Sequence, residues 1–297
     1  KDSGILAMRK FIFLVLILLL PMVSFAQSGW YVQNSGTSSN LNDIFFINQN
    51  TGWAVGDNGT IVKTTNGGFS WYNQNSGTTY TLRKVQFLNP NLGWTVGGNY
   101  NSGVPFCPYY SIITKTTNGG QTWIAQINTD NGSQFNDLNL LDSNNICTVG
   151  QSMDNFQCLV SFNIALNSIN SGTNWSPYST PLPSSYIFNS LSFINNTTGY
   201  VTAIHSSDVI MRLRKILKTT NSGNNWSIIT TDSLNGSPTF ENNFIRFFDA
   251  NTGYYINGNF LRTTNGGDNW FKFDSLSVYG MNKFSFINLS TGYLVGQ

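Results

Sequence analysis

Short runs in which apolar and polar residues alternate recur along the chain, and each run ends in a Phe followed by a polar turn. A period of two over a short run predicts a β-strand. After each turn, a Gly-aromatic pair opens a second predicted strand, such as Trp53 to Gly56. The alternating apolar pairs are Ile44 and Phe46, Val85 and Phe87, Leu191 and Phe193, Ile245 and Phe247, and Phe284 and Phe286.

A second motif recurs in step with these strands. The segment Thr-Thr-Asn-Gly-Gly-Phe-Ser-Trp at 64–71 returns at 116–123, 219–226 and 263–270, with a weaker copy at 168–175. A repeat of about 40 to 50 residues is typical of propeller blades and solenoid units. The Asp57-Asn58-Gly59 turn predicts a hairpin into a third strand, and the motif then turns the chain into a fourth. One repeat is therefore predicted to be a four-stranded antiparallel meander.

We call these five segments the boxes. In each box, the Asn side chain can accept hydrogen bonds from backbone N–H groups a few residues on, and the second Gly permits a backbone that a Cβ would hinder. The closing Trp is predicted to be buried between neighbouring sheets. The residues to which we assign these structural roles are Thr64, Asn66, Gly68, Trp71, Thr116, Asn118, Gly120, Trp123, Ser168, Asn170, Gly172, Trp175, Thr219, Asn221, Gly223, Trp226, Thr263, Asn265, Gly267 and Trp270.

The boxes resemble the Asp box of bacterial-neuraminidase (BNR) repeats, Ser/Thr-x-Asp/Asn-x-Gly-x-Thr/Ser/Asn-Trp. With the aromatic-Val-Gly strand before the box, residues 30–297 more narrowly resemble the photosystem II stability and assembly factor family and its exported bacterial relatives. All five boxes carry Asn at the Asp position, which keeps the acceptor and removes the charge. The resemblance implies a propeller, usually seven-bladed in that family, with an assembly-factor or adhesin-like role. It does not transfer a photosystem substrate.

The predicted fold is all-β, a β-propeller of four-stranded antiparallel blades with five complete repeats and a partial sixth. We expect a six- or seven-bladed ring that is incomplete at its C-terminus, because residues 281–297 supply only two strands of another blade. Residues 30–37 repeat residues 71–78, so a fourth strand beginning at Trp30 is predicted to complete the last blade and close the ring.

The N-terminal residues predict export. Arg9 and Lys10 precede the apolar run 11–20, and Ala26 ends a stretch suited to cleavage. A membrane anchor is the alternative, but the run is shorter than the roughly 20 residues that cross a bilayer. We therefore expect upstream residues at 1–7, a signal peptide at 8–26 and the propeller at 27–297. The expected location is the periplasm, the cell surface or the extracellular space.

The charge balance of the chain limits the classes of partner that it is expected to bind. Without residues 1–26, the chain carries 12 basic and 12 acidic residues, and charged residues make up 9% of the whole sequence. A balanced, weakly charged surface argues against binding nucleic acid or an anionic membrane. We expect a monomer with no membrane-spanning segment, no metal and no cofactor.

The sequence holds few residues suited to catalysis. A sialidase needs an arginine cluster and a Tyr paired with a carboxylate, but after residue 26 the only Glu is Glu241. Asp43 and Asp137 occupy equivalent first-strand positions and could form the carboxylate pair of a glycoside hydrolase. We favour the alternative that both are solvated or cap turns where strands start. His205 is the only histidine, which excludes a histidine metal cluster. No catalytic residue is predicted.

Three cysteines leave two possibilities open. Cys147 and Cys158 lie in one repeat and could form a disulfide across a hairpin, with Cys107 unpaired. All three could instead be buried thiols.

Binding residues are predicted at two places. The polar residues one and three positions before each Phe vary in type while their apolar neighbours do not, so we expect them near a central channel, where Lys84, Arg246 and Lys283 contribute charge. The insertion at 97–110 adds Phe106, Tyr109 and Tyr110, which could stack on a sugar or peptide. The predicted function is a non-catalytic scaffold that binds a protein or glycan. The alternative is an extracellular glycoside hydrolase or lyase.

Overall fold

The computed structural model describes residues 32–100, 109–129, 133–153, 161–178, 180–183, 185–205, 214–232, 244–256, 260–272, 281–288 and 291–296. The chain divides into two compact units, residues 1–33 and 34–297. Of the first unit only Val32 and Gln33 are described, so the predicted signal peptide and the start of the predicted closing strand at Trp30 lie outside the described residues.

The second unit is built from five sheets, each of four antiparallel strands that lie side by side in chain order. We call these sheets blades 1 to 5. Blade 1 holds β1 (Leu41–Phe46), β2 (Gly52–Gly56), β3 (Ile61–Thr64) and β4 (Tyr72–Gln74); blade 2 holds β5 (Leu82–Phe87), β6 (Gly93–Tyr100), β7 (Tyr109–Thr116) and β8 (Ile124–Thr129). Blade 3 holds β9 (Ser133–Leu140), β10 (Ile146–Met153), β11 (Ser161–Ser168) and β12 (Ser176–Pro177); blade 4 holds β13 (Tyr186–Phe193), β14 (Gly199–His205), β15 (Arg214–Thr219) and β16 (Ser227–Asp232). Blade 5 holds β17 (Phe244–Phe247), β18 (Gly253–Ile256), β19 (Phe260–Thr263) and β20 (Phe271–Lys272), and a hairpin of β21 (Met281–Asn288) and β22 (Thr291–Gly296) follows.

The first strand of each blade lies at the inside of a ring. Strands β1, β5, β9, β13 and β17 contact one another in that order, and β21 contacts β1. The predicted all-β propeller of four-stranded blades is therefore confirmed. Within the described ranges, the one helical element is the short turn Asp57–Gly59 between β2 and β3.

The recurring Phe, Gly-aromatic and box Trp meet at the interfaces between blades. Trp53 of blade 1 stacks on Phe87 of blade 2, with ring centroids 3.6 Å apart and planes at 13°. Trp123 of the blade 2 box meets Phe87 edge-on at 5.8 Å. The face of Phe87 also lies against Gly93, where a Cβ would come within 2.6 Å of the ring. The motif thus specifies one aromatic contact between blades and one within a blade.

Each box is held by its own side chains. In the first box, Thr64 Oγ1 accepts a hydrogen bond from the Gly68 N–H at 2.9 Å. Asn66 Oδ1 accepts from the Ser70 N–H at 3.0 Å. Gly68 has φ +92°, in the region that favours glycine. The turn is therefore closed by one hydroxyl, one amide and one glycine.

Two boxes carry Ser where the other three carry Gly, and this predicts a stabilising substitution. Ser222 has φ +62°, which costs an L-residue roughly 1 kcal/mol. We expect Ser222→Gly to raise the free energy of unfolding by about 0.5–1 kcal/mol, measured from the urea midpoint. Ser171, at φ +60°, is the matched control. Its hydroxyl donates to the Ser143 carbonyl, so Ser171→Gly should gain less. Equal gains at both positions would contradict this account.

Candidate functional site

A β-bulge precedes the polar position three residues before the aligned Phe, or before Leu140 in blade 3, in the inner strands of blades 1 to 4. The pairing of β21 with β22 shifts equivalently between Met281 and Lys283. The pairing of β1 with β2 shifts between Leu41 and Asp43, and that of β5 with β6 shifts between Leu82 and Lys84. Equivalent shifts occur in β9 and β13. Bulges bend a strand and re-aim the side chains beside them. The residues that directly follow the four bulges are Asp43, Lys84, Asp137 and Ser190.

Three of these four side chains accept a hydrogen bond from a backbone N–H of the next blade. Asp43 Oδ2 accepts a hydrogen bond from the Val85 N–H at 2.9 Å. Asp137 Oδ2 accepts from the Leu191 N–H at 2.8 Å. Ser190 Oγ accepts from the Ile245 N–H at 3.3 Å. The next polar position, one residue before the aligned Phe or, in blade 3, before Leu140, repeats the arrangement. The acceptor and donor pairs are Gln86 Oε1 with Leu140 N at 3.0 Å, Asn139 Oδ1 with Phe193 N at 3.1 Å, and Ser192 Oγ with Phe247 N at 3.0 Å.

We call the varying polar positions, one and three residues before the aligned Phe of each repeat, the polar column. Six residues of the polar column therefore have a structural role. Asp, Ser, Gln and Asn share a hydrogen-bond acceptor, and each meets a backbone N–H of the following blade. Sequence reasoning missed this because the residues differ in type and their partners lie about 40 to 55 residues away. The one available signal was that six of the varying side chains are acceptors.

At the centre of the column, one lysine lies between two carboxylates. Lys84 Nζ is 3.5 Å from Asp43 Oδ1 and 3.5 Å from Asp137 Oδ1. It also lies 5.5 Å from the Phe244 ring centroid. We call Asp43, Lys84, Asp137 and Arg246 the axial cluster.

Burial and the two carboxylates have opposite effects on the basic side chains of the axial cluster. Burial alone would lower the pKa of Lys84, but the charges of Asp137 and Asp43 outweigh it and raise the pKa. For Arg246, burial lowers the pKa more than the same two carboxylates raise it. Lys84 and Arg246, both predicted as binding residues, are therefore brought to one pair of acids.

The interpretation of Asp43 and Asp137 as solvated residues is wrong. Their exposed fractions are 1% and 0%. Both Oδ1 atoms lie 3.5 Å from the same ammonium, so the two carboxylates approach one another around Lys84. Each carboxylate is nevertheless engaged with Lys84 and with a backbone N–H of the next blade. The arrangement holds blades together and leaves neither acid facing solvent.

The other predicted binding residues are not brought to the axial cluster by any described contact. Tyr110 is half-buried and stacks on Tyr80 with centroids 5.4 Å apart. Phe106 lies outside the described residues, as do the side chains of Tyr109 and Lys283.

Cys147 is a buried free thiol, and its Sγ lies 3.5 Å from Tyr178 Oη. Burial raises the pKa of Cys147 to about 11. Cys107 and Cys158 lie outside the described residues. For Cys147, the thiol alternative is therefore the one observed.

The described ranges hold neither a candidate metal site nor a candidate membrane-spanning helix. No group of three or more His, Cys, Asp or Glu side chains there could hold a metal ion. No helix in the same ranges is long and apolar enough to cross a membrane.

The fold shows that the chain is a β-propeller. Comparison with known proteins indicates which propellers it is similar to. Residues 22–124 match the family model described as Photosynthesis system II assembly factor YCF48. The solved structure of YCF48 bound to D1 peptide is 18% identical, with 90% of this chain and 93% of that chain covered and a TM-score of 0.56. YCF48 from Cyanidioschyzon merolae is 17% identical, with 88% and 93% covered and a TM-score of 0.54. The predicted resemblance to photosystem II assembly factor propellers is confirmed.

Glycoside hydrolases share the fold. The GH74 enzyme of Niastella koreensis is 15% identical, with 75% of this chain but 36% of that chain covered and a TM-score of 0.53. At such identities, the likeness concerns the fold alone. No curated protein matches the chain.

Proposed function

We propose that the protein is an exported, non-catalytic propeller that binds a protein partner and acts as an assembly scaffold. The observation that carries this proposal is the engagement of Asp43 and Asp137 in contacts between blades, which removes the obvious catalytic pair. The similarity to YCF48, solved with a bound D1 peptide, supports a peptide-like ligand. The predicted signal at residues 8–26 supports export.

We place the partner on the face of the ring opposite the boxes. Strand direction alternates within a blade, so the connection between strands 2 and 3 opens on the opposite face from the box, which connects strands 3 and 4. The Tyr80 and Tyr110 stack belongs to this face, because Tyr80 precedes β5 and Tyr110 lies at the start of β7. Loops and aromatic residues on a rigid scaffold are suited to recognition.

An array of unstructured peptides, tested beside a glycan array, would examine this proposal. We expect peptide binding, weakened by at least about tenfold in Tyr110→Ala, which corresponds to about 1.4 kcal/mol. Ile124→Ala is the matched control, because Ile124 is 64% exposed on the outer strand β8 and should not affect binding. Binding to glycans alone, or equal loss in both variants, would contradict the proposal.

An extracellular glycoside hydrolase or lyase is the alternative, and the observation that favours it is the approach of both acids to one ammonium. Asp43→Asn with Asp137→Asn keeps an acceptor oxygen at both positions and removes both charges. An enzyme would lose turnover of polysaccharide in this variant. Turnover by the unmodified protein that disappears in the double variant would replace the scaffold with this alternative.

A further inference from the structure

Four Asn-Gly pairs lie within the described residues, and one of them has a different structural environment from the other three. In an Asn-Gly pair, the backbone nitrogen of Gly can attack the Asn side-chain carbonyl, since Gly has no Cβ to hinder the approach. Three pairs are in boxes and one is in the turn between β2 and β3. The box pairs are Asn66-Gly67, Asn118-Gly119 and Asn265-Gly266, and the turn pair is Asn58-Gly59.

In each box pair, both the Gly backbone N–H and the Asn side chain are hydrogen-bonded. The Gly67 N–H donates to the Asn50 carbonyl at 2.8 Å, and the amides of Gly119 and Gly266 make the same contact at 2.9 Å. The Asn side chains are fixed as well, because their Oδ1 atoms accept from the backbone N–H four residues on, at 2.9 to 3.0 Å. Cyclisation in a box would have to break both hydrogen bonds. The boxes should therefore be protected from this reaction.

Asn58 lacks this protection. It is exposed, with φ 56° and ψ 32° at the tip of the turn. Among the residues that the structure describes, none forms a hydrogen bond with its side chain. The Asn58 carboxamide can therefore sample rotamers that a box Asn cannot reach.

We propose that Asn58 is a site of spontaneous deamidation. The Gly59 nitrogen gives up its proton to solvent and bonds to Asn58 Cγ, while the bond from Cγ to the amide nitrogen breaks and that nitrogen takes a proton from solvent and leaves as ammonia. The resulting succinimide takes up one water and opens to aspartate or isoaspartate. No oxidant, reductant or enzyme is needed.

The products bear on the contact between blades 1 and 2. The neighbouring Asp57 carboxylate accepts from Asn40 Nδ2 at 3.1 Å and from Asn42 Nδ2 at 3.0 Å. Asn42 Nδ2 also donates to the Leu82 carbonyl of blade 2 at 3.0 Å. Deamidation adds a negative charge beside Asp57, and isoaspartate lengthens the backbone next to Gly59. A Cβ on Gly59 would lie 1.9 Å from the Thr78 oxygen, so Gly59 packs closely against the segment that leads into blade 2.

Peptide mapping by mass spectrometry after incubation of the full chain in mildly alkaline buffer tests the proposal. We expect the Asn58 peptide to gain aspartate and isoaspartate at least about tenfold faster than the three box peptides, a difference of about 1.4 kcal/mol in barrier. In urea, the box peptides should approach the Asn58 rate, because their hydrogen bonds are lost. Asn58→Gly suits the positive φ and should abolish conversion at this turn.

The comparison among peptides of one molecule makes the result decisive. Conversion of the box peptides as fast as Asn58 in the folded protein would overturn the proposal. So would an unchanged Asn58 peptide under conditions in which the unfolded chain converts. Neither result depends on the ligand of the propeller.

Discussion

Gly93→Ala is expected to lower the free energy of unfolding by about 3 kcal/mol, at the upper end of what overpacking costs. The added Cβ would lie 2.6 Å from Cδ1 of Phe87, a ring that is 4% exposed. Trp53 occupies the other side of this ring at a centroid distance of 3.6 Å. Phe87 therefore cannot move away without breaking the contact between blades 1 and 2. The shift of the urea midpoint measures the effect.

Two variants separate steric overlap from backbone strain. Gly77→Ala is the control, because Gly77 has φ +72° but a Cβ there would meet nothing closer than the Trp123 oxygen at 3.8 Å. It should cost only about 1 kcal/mol. Phe87→Leu removes the overlapping ring atoms, so the double variant with Gly93→Ala should cost at least about 1 kcal/mol less than the two single changes added together. Additive costs would show that the ring is not the obstacle.

The sequence was sufficient to predict the blades because the motifs that specify them are local and repeated. Alternation before Phe46 and Phe87 gives the inner strands, and the spacing of the boxes gives the blade length. The reason for the Gly that recurs in four blades at positions such as 93 was not predictable in the same way. It depends on the face of a Phe that pairs with it across the sheet.

Blade 3 shows why other contacts could not be predicted. In blades 1 and 2, a lysine before the box reaches the next box: Lys63 Nζ donates to the Gly119 carbonyl at 3.0 Å. Blade 3 has Asn167 at this position. Tyr178 supplies the contact instead, since its Oη donates to the Ser222 carbonyl at 2.8 Å. Because Tyr178 lies beyond the box rather than before it, aligning the repeats does not reveal the replacement.

Removing the lysine of the axial cluster is expected to have the second large effect on the free energy of unfolding. Lys84→Met keeps most of the side-chain volume and leaves Asp43 and Asp137 buried without their shared cation, which should cost about 3–5 kcal/mol. The raised pKa of Lys84 means that its stabilisation is complete below the ordinary lysine pKa and is lost only as pH rises through the folded-state value. The full loss should therefore be seen at neutral pH. Acidification should partly restore the variant, because a protonated carboxyl no longer repels its neighbour.

A triple variant determines whether Lys84 serves the fold or the ligand. Adding Asp43→Asn and Asp137→Asn to Lys84→Met removes all three charges and keeps acceptors for the Val85 and Leu191 N–H groups, so most of the stability should return. If Lys84→Met abolishes ligand binding and the triple variant restores it, Lys84 acts by holding blades 1 to 3 together. If the triple variant is stable but still does not bind, Lys84 contacts the ligand itself. A cost of Lys84→Met below about 1 kcal/mol would show that water already screens the two acids, and the axial cluster would then be open to solvent.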